Sequence, residues 1–350
     1  MSDLPISMKA YRVPAGGGAG VWRDIPVPVP GPDDVLIQMT AAGICRTDLE
    51  LMDHGFMQPA EEYTLGHENV GWVAAVGSNV RDLSIGDSVA VSPSSSCGAC
   101  EYCAEGNDNV CLDRPMRYGV AGDGGLAPYM VARRRDTLPI GELDHLLIAP
   151  AADAGAAAYG VIHRVLPHVR DNGYIAVVGV GGVGAFALQL LRFMTPATVI
   201  AVDLAERLDN AIARGADVGV VSGPDTVEEI MKLTSGRGVD AVLEFVGIDA
   251  TLELSSRIVR PLGAIGLVGT GGGMLPFRFG LPQFGAVVFN SASCSLSELK
   301  ALFELVGAGK AEIDITEYDF ENLEQGYSDL RAGRIIGRGV IRFPGDRPAP

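Results

Sequence analysis

Residues 174–186 read YIAVVGVGGVGAF, and few short stretches restrict a fold more tightly. Gly179, Gly181 and Gly184 stand in G-x-G-x-x-G register between an apolar strand-type run and the helical run GAFALQLLRFM. The first glycine permits a tight turn, the second lets a pyrophosphate approach the backbone, and the third lets helix and strand pack closely. The helix N-terminus then faces the phosphates. Glycine turns are common in a chain with 46 Gly, so context has to decide. The next strand-type run, TVIAVD, ends on Asp203, 19 residues after Gly184. A carboxylate there accepts hydrogen bonds from the adenosine ribose hydroxyls and repels a 2′-phosphate, which predicts NAD rather than NADP.

The alternation continues around this motif. TVIAVD is followed by the helical run AERLDNAIARG, and VDAVLEFVG and AIGLVG come later. Strands alternating with helices indicate βαβ units and a parallel sheet. Before about residue 150 the texture differs: DVLIQMTAAG and NVGWVAAVG read as short strands set off by Gly and Pro. After about residue 295 the helix LSELKALFELVGAG and the strand RGVIRF are expected to rejoin that first domain. A chain of 350 residues exceeds the usual single-core limit, so two domains are the default. AGGGAG (Ala15 to Gly20) reads as a loop, and the tail from Pro344 reads as disordered.

Charge narrows the function classes. Forty-three acidic against 27 basic residues give −16, and the only basic run is Arg133-Arg134-Arg135. Nucleic-acid binding needs a cationic face, so that class is disfavoured. The N-terminus MSDLPISMKAYR lacks a signal-peptide core and no uncharged apolar run reaches the ~18 residues of a span, so a cytoplasmic protein with no membrane partner is expected. Thiols stay reduced in that compartment, and clustered cysteines there are metal ligands before they are disulfides.

Four of the six cysteines fall in CGACEYCAEGNDNVC. Cys97, Cys100, Cys103 and Cys111 form a C-x2-C-x2-C-x7-C pattern that suits tetrahedral zinc in a closed, structural site. The opening triplet resembles a ferredoxin cluster loop, but the last spacing is seven rather than three and Leu112, not Pro, follows Cys111.

Of the others, Cys45 lies in GICRTDLE and His67 in YTLGHENVGW, 22 residues later. A lone Cys and a lone His are more often core residues than ligands. Here Asp48 and Glu68 flank them, the kind of carboxylate that orients a metal-bound imidazole. His54, His145, His163 and His168 lack such surroundings. Asp153 is the single charge in APAADAGAAAYG, where two readings compete: a helix N-cap, or a third metal ligand.

Taken in order, GICRTDLE, GHENVGWVAAVGSNV, the four-cysteine segment and VVGVGGVG with Asp203 resemble the motifs of the zinc-dependent medium-chain alcohol dehydrogenases. The resemblance implies an α/β protein: a GroES-like β-rich catalytic domain, residues 1–152 and 295–350, interrupted by a Rossmann doubly wound parallel sheet at 153–294. The structural zinc lobe would be 93–114. It implies catalytic zinc on Cys45, His67 and Asp153, structural zinc on Cys97, Cys100, Cys103 and Cys111, and NAD contacts from Gly179, Gly181, Gly182, Val183, Gly184, Asp203, Arg207, Val246 and Val268. Many relatives have Cys as the third catalytic ligand, and a bacterial secondary- and aryl-alcohol subset uses Asp in a DAG context like the one here. One thiolate, one carboxylate and a neutral imidazole leave Zn²⁺ formally neutral, as two thiolates and an imidazole do, with one position open.

In the same resemblance Thr47 bonds the substrate oxygen, Asp48 holds His67, and Glu68 is an outer partner or transient ligand. Glu50 stands where the family often has a relay His, so either this carboxylate takes over the relay or protons leave through water and the ribose hydroxyl, and Ser293-Cys294 stand where many relatives have a bulky residue followed by Gly. The second of these departures predicts a pocket or subunit edge that admits bulkier carbonyls, against the plainer reading of Cys294 as a small buried residue. The reaction implied is hydride exchange between NAD(H) and a secondary or aryl alcohol or its carbonyl, in a homodimer or homotetramer. The alternatives are a polyol or amino-alcohol dehydrogenase of the same fold and a catalytically silent NAD-binding protein.

Overall fold

The structure is a computed structural model that describes residues 4–55, 61–114 and 117–349. The chain forms two compact units: Met1–Asp153 with Ser295–Ala308 and Asp314–Pro350, and Ala154–Cys294 with Gly309–Ile313. The second crossing leaves Gly309–Ile313 with the parallel-sheet unit, a detour that sequence pattern does not announce. It is fixed there through Glu312, whose N–H donates to Gln189 Oε1 (2.9 Å) and whose carbonyl accepts from Arg214 Nη1 (3.2 Å).

The first unit is built on a seven-stranded sheet in the order Ile315–Asp319, Arg338–Arg342, Asp34–Ile44, Glu68–Val76, Ser88–Val91, Thr137–Pro139, with Tyr129–Arg133 also pairing on Asp34–Ile44. A three-stranded sheet of Val21–Pro26, Ser7–Val13 and Tyr63–Thr64 completes its β content. The long Asp34–Ile44 strand places Val35, Ile37 and Met39 in the core at period two, then Ala42 and Ile44. The change of parity coincides with a register shift between Met39 and Ala41 against Glu68–Val76. A bulge of this kind re-aims the end of its strand, and this strand runs directly into Cys45. The tail from Pro344 has no regular structure but is not loose. Gln38 Nε2 donates to the Asp346 carbonyl (3.2 Å) and Arg347 Nε to the Gly86 carbonyl (2.6 Å), so the disordered tail expected from composition is replaced by an anchored one.

The second unit is a fully parallel six-stranded sheet in the order Val218–Val221, Thr198–Asp203, Tyr174–Val178, Val239–Glu244, Val259–Leu267, Val287–Asn290. The order reverses between Tyr174–Val178 and Val239–Glu244, the place where sheets of this type bind ligands at the strands' C-terminal ends. Val178, Ile200, Val202, Val242 and Ile265 fill the core, as near-continuous apolar strands should when both faces are covered.

His145–His168 is a continuous helical run, long and apolar enough by composition to cross a membrane. With 72% of its apolar window buried, it is a core element of a globular chain. It is not uniform: α-helix His145–Pro150 gives way to a π-helical turn at Ala151–Gly155 before α-helix resumes at Ala156–Val165.

Candidate active site

Three neighbouring strands and one helix start converge on a single point of the first unit. Cys45 follows the Asp34–Ile44 strand as N-cap of the helix Arg46–His54, and Asp48 at the third helical position closes a capping box, its Oδ2 accepting from the Cys45 N–H at 2.9 Å. Its other oxygen, Oδ1, lies 3.1 Å from His67 Nδ1. One fully buried carboxylate therefore bonds the backbone of Cys45 and lies beside the imidazole of His67. His67 leaves a turn at Gly66, whose φ of +100° suits glycine and whose carbonyl accepts from the Gly125 N–H (3.0 Å) and Asn69 Nδ2 (2.9 Å).

His67 Nε2 points the other way, 3.5 Å from Asp153 Oδ2 and 4.0 Å from Glu68 Oε1. Asp153 sits in the π-helical turn, not at a helix start. The N-cap of this helix is Asp144, which accepts from the Leu146 N–H at 2.9 Å. The capping reading of Asp153 is thereby excluded. A π turn rotates one residue out of helical register, a distortion that recurs at functional sites, and here the residue is the run's only carboxylate. Thr47 Oγ1 lies 3.6 Å from Cys45 Sγ, and Glu50 lies a helical turn further on.

Sequence pattern alone does not find Arg338. It is 8% exposed on the strand Arg338–Arg342, and its Nε donates to Glu68 Oε2 at 3.2 Å while Nη2 contacts Glu68 Oε1 and lies 3.6 Å from Asp153 Oδ2. The register explains the meeting: Gly43 opposes Glu68 and Ile44 opposes Gly339 across the sheet. Gly43 must be glycine, since a Cβ there would collide with the Glu68 carboxylate. No local pattern in GRGVIRF distinguishes this arginine, and it is 270 residues from Glu68.

The electrostatics are those of a cation site. Burial opposes a charge on His67, yet the Asp48 charge and hydrogen bonds to Asp153 and Asp48 outweigh it and hold its pKa well above the ordinary range. Burial pushes the Glu68 carboxyl up to about 7 against the pull of Arg338. Asp153 goes the other way: His67 and Arg338 overcome its burial and lower its pKa. Donor atoms of Cys45, His67, Glu68 and Asp153 all lie within 4.8 Å of one another. A tetrahedron with bonds of ~2.0–2.3 Å has edges of roughly 3.3–3.8 Å, so these residues fit zinc, with Glu68 held back by its arginine. With a divalent ion, Cys45 and Asp153 as anions cancel its charge, and Glu68 and Arg338 cancel each other.

Among the described residues one other such donor set exists, Cys97, Cys100, Cys103 and Cys111. Their sulfurs approach at 3.5 Å (Cys100–Cys103), 3.8 Å (Cys100–Cys111) and 3.9 Å (Cys97–Cys103), close to the ~3.8 Å edge of a tetrathiolate zinc site. Backbone N–H groups of Leu112 and Cys103 hold the Cys100 thiol down to about 6, whereas burial pushes Cys103 up to about 11. The helix Glu101–Ala104 within this lobe has no buried residue, so an apolar core does not hold it together.

In the second unit the glycines behave as their spacing predicts. Gly179 turns with φ +89°, a Cβ on Gly184 would strike the Gly179 carbonyl, and a Cβ on Gly181 would meet nothing within 4 Å. The helix Gly182–Met194 carries Val183 in its first turn and has no side-chain cap at Gly181, leaving its first N–H groups open to an anion. Asp203 ends its strand beside this loop, accepting from the N–H of Val180 (2.6 Å) and of Leu204 (2.7 Å), with Arg207 Nη1 at 3.7 Å. Val246 follows Val239–Glu244 and closes on the glycine turn, since a Cβ on Gly179 would come within 2.6 Å of its Cγ2. Val268 directly follows Val259–Leu267. Cys294 is 9% exposed at the unit boundary and belongs to neither of the two donor sets found among the described residues.

A dinucleotide-type parallel sheet and a β-rich unit with one open and one closed donor set are the parts of a metal-dependent dehydrogenase. Residues 31–142 match the family of alcohol dehydrogenase GroES-like domains, and residues 182–307 match the family of zinc-binding dehydrogenases. An NAD-dependent alcohol dehydrogenase of Sulfurisphaera tokodaii is 30% identical over 95% of this chain and 99% of its own. A D-arabinose 1-dehydrogenase (NADP(+)) of Saccharolobus solfataricus is 31% identical over 91% of this chain and 93% of its own. The crystal structure of the alcohol dehydrogenase from Aeropyrum pernix superposes with a TM-score of 0.88 at 34% identity, covering 95% of this chain and 99% of that one. The chain belongs to the zinc-dependent medium-chain alcohol dehydrogenase family.

Proposed function

We propose that the protein is a zinc-containing, NAD-dependent alcohol dehydrogenase acting on secondary or aryl alcohols and their carbonyl counterparts. One observation carries the site assignment: Cys45, His67 and Asp153, far apart in sequence, bring a thiol, an imidazole and a carboxylate to one point. Bound there, zinc supplies Lewis acidity, easing loss of an alcohol proton in one direction and polarising a carbonyl in the other. Asp48 Oδ1 fixes the His67 ring by taking the Nδ1 proton as its partner, which leaves Nε2 as the ligating nitrogen. Arg338 restrains Glu68. Thr47 Oγ1 is the hydroxyl that hydrogen-bonds the substrate oxygen and relays its proton, giving up its own as it takes the substrate's, and Glu50 takes the place of the outer carrier that receives it. Gly179, Gly181, Gly182, Val183, Gly184, Asp203, Arg207, Val246 and Val268 bind NAD, with Asp203 as the ribose acceptor. The second zinc is held by Cys97, Cys100, Cys103 and Cys111. The protein works in the cytoplasm as a homodimer or homotetramer.

The test is an NADH-coupled screen over primary, secondary and aryl alcohols with the zinc-loaded protein. Highest kcat/KM on secondary or aryl alcohols is expected. Similarity to a D-arabinose 1-dehydrogenase supports a second reading, a polyol or sugar dehydrogenase, and clear preference for polyols in the same screen would replace the first. Cofactor choice is checked in parallel. Asp203→Ala should raise the KM for NAD, and wild-type protein that prefers NADP would overturn the role given to Asp203.

A further inference from the structure

The basic run Arg133-Arg134-Arg135 is absorbed neither by the cofactor site nor by the catalytic cluster. It forms a turn, completed by Asp136, that grips one residue of the four-cysteine lobe. Ser96, immediately before Cys97, is 1% exposed, and each of its polar groups meets this turn. Its N–H donates to Asp136 Oδ1 at 3.3 Å, its carbonyl accepts from Arg133 Nη1 at 3.0 Å, and its Oγ accepts from Arg135 Nε at 2.9 Å. The turn is itself braced. Tyr118 OH donates to Asp136 Oδ2 (2.9 Å) and accepts from the Arg133 N–H (3.0 Å). Arg134 faces away, onto Asp82.

Arg135 also lies against the metal knuckle. Gly98, with φ +76°, would place a Cβ 3.0 Å from the Arg135 guanidinium carbon, so the cation occupies the space that a side chain after Cys97 would take. Four thiolates around one Zn²⁺ carry a net charge of −2. The lobe adds Glu101, Glu105, Asp108 and Asp113 against its own Arg114, so its charge has to be met from outside.

We infer that the Arg133–Asp136 turn is a clamp that positions the four-cysteine lobe for its metal, with Ser96 as the residue held and Arg135 as the counter-charge. This rests on the reading of the lobe as a zinc site. The clamp fixes where the knuckle begins before the metal arrives and opposes departure of the ion afterwards. Outer partners of metal ligands commonly change affinity by about 10–100-fold.

The experiment follows zinc release from the holoenzyme to a chromogenic chelator in wild type, Arg135→Ala, Arg135→Lys and Ser96→Ala. Turnover is recorded alongside, so that the phase that tracks lost activity is assigned to the catalytic ion. Arg135→Ala should release the other zinc about tenfold faster with the activity-linked phase unchanged. Arg135→Lys should recover part of the difference by restoring charge. Ser96→Ala, which keeps both backbone grips and is mild enough to fold, should show about a threefold acceleration, the worth of one hydrogen bond. Release rates within twofold of wild type in both alanine variants would overturn the clamp. Wild-type protein with only the activity-linked zinc would instead refute the metal reading of the lobe.

Discussion

Asp48 is a residue whose two oxygens serve two structures. As the third helical residue it accepts from the Cys45 N–H, and as a buried neighbour it lies 3.1 Å from His67 Nδ1, which it is proposed to orient. Asp48→Asn keeps an acceptor for the Cys45 N–H, but its amide then turns a donor towards the protonated Nδ1. Loss of about 1 kcal/mol or less of stability is expected, with zinc affinity at the catalytic site down about 10–100-fold. Competition with a chelator measures this, and unchanged affinity would reduce Asp48 to a cap. Asp153→Ala should release one zinc per chain and cost on the order of 10²–10³-fold or more in turnover, while circular dichroism stays the same. Retained zinc with normal turnover would leave the Asp153 carboxylate without its proposed role. Asp153 drew notice as the one charge in a plain alanine-rich run, and Cys45 and His67 through the carboxylates Asp48 and Glu68 that flank them and the family motifs that their segments resemble. Arg338 was not legible in this way, because its meaning comes only from strand register, a tertiary property that a residue's neighbours in sequence do not encode.

At the scale of elements, periodicity carried the parallel sheet: apolar strand runs and helical runs alternate from residue 174, and the structure keeps that order. Two departures from regularity escaped it, the register shift between Met39 and Ala41 and the π turn at Ala151–Gly155. Each displaces a residue by one position within a largely apolar run, where a change of parity or register leaves little mark in the sequence, yet each lies just before or around a residue of the catalytic cluster. The parallel sheet has an ionic tie that could not be foreseen either. Asp240, fully buried, accepts from Arg170 Nε (2.6 Å), Arg260 Nε (2.8 Å) and the Tyr174 N–H (2.9 Å). Burial would raise its pKa, but these partners win and lower it to about 2. A depressed carboxyl stabilises the fold above its unfolded pKa and loses that contribution as pH falls through the folded value. The tie should therefore contribute roughly 2 kcal/mol above pH ~4, vanishing towards pH ~2. Urea midpoints of wild type and Asp240→Asn, measured from pH 5 downward, should converge on acidification. A constant gap across that range would show that ionisation of Asp240 is not what stabilises the sheet.

On the scale of the whole molecule, the parallel sheet ends at an edge strand. Among the described residues Val287–Asn290 pairs only with Val259–Leu267, which leaves one row of its backbone groups open there. Just before it, Phe284 is exposed and its ring meets that of Phe279, which is 95% exposed, while its carbonyl accepts from the N–H of Leu262, exposed as well. A chain with net charge −16 has ample means to keep a surface polar, and it does not do so here. An open edge beside an apolar patch invites pairing with another chain. A second copy of this chain supplies an edge of the same kind, and a two-fold axis lets each edge serve the other. The mass in solution should therefore be two or four times 36.6 kDa. A charge at the patch should act on assembly alone: Phe279→Lys is expected to shift the weight-average mass towards the single chain in a sedimentation experiment at micromolar concentration. Because the zinc ligands lie in the other unit, zinc content per chain should not change in that variant. Wild-type protein sedimenting as a single chain at tens of micromolar would end the dimer proposal. A variant that kept its full mass would move the interface away from this edge.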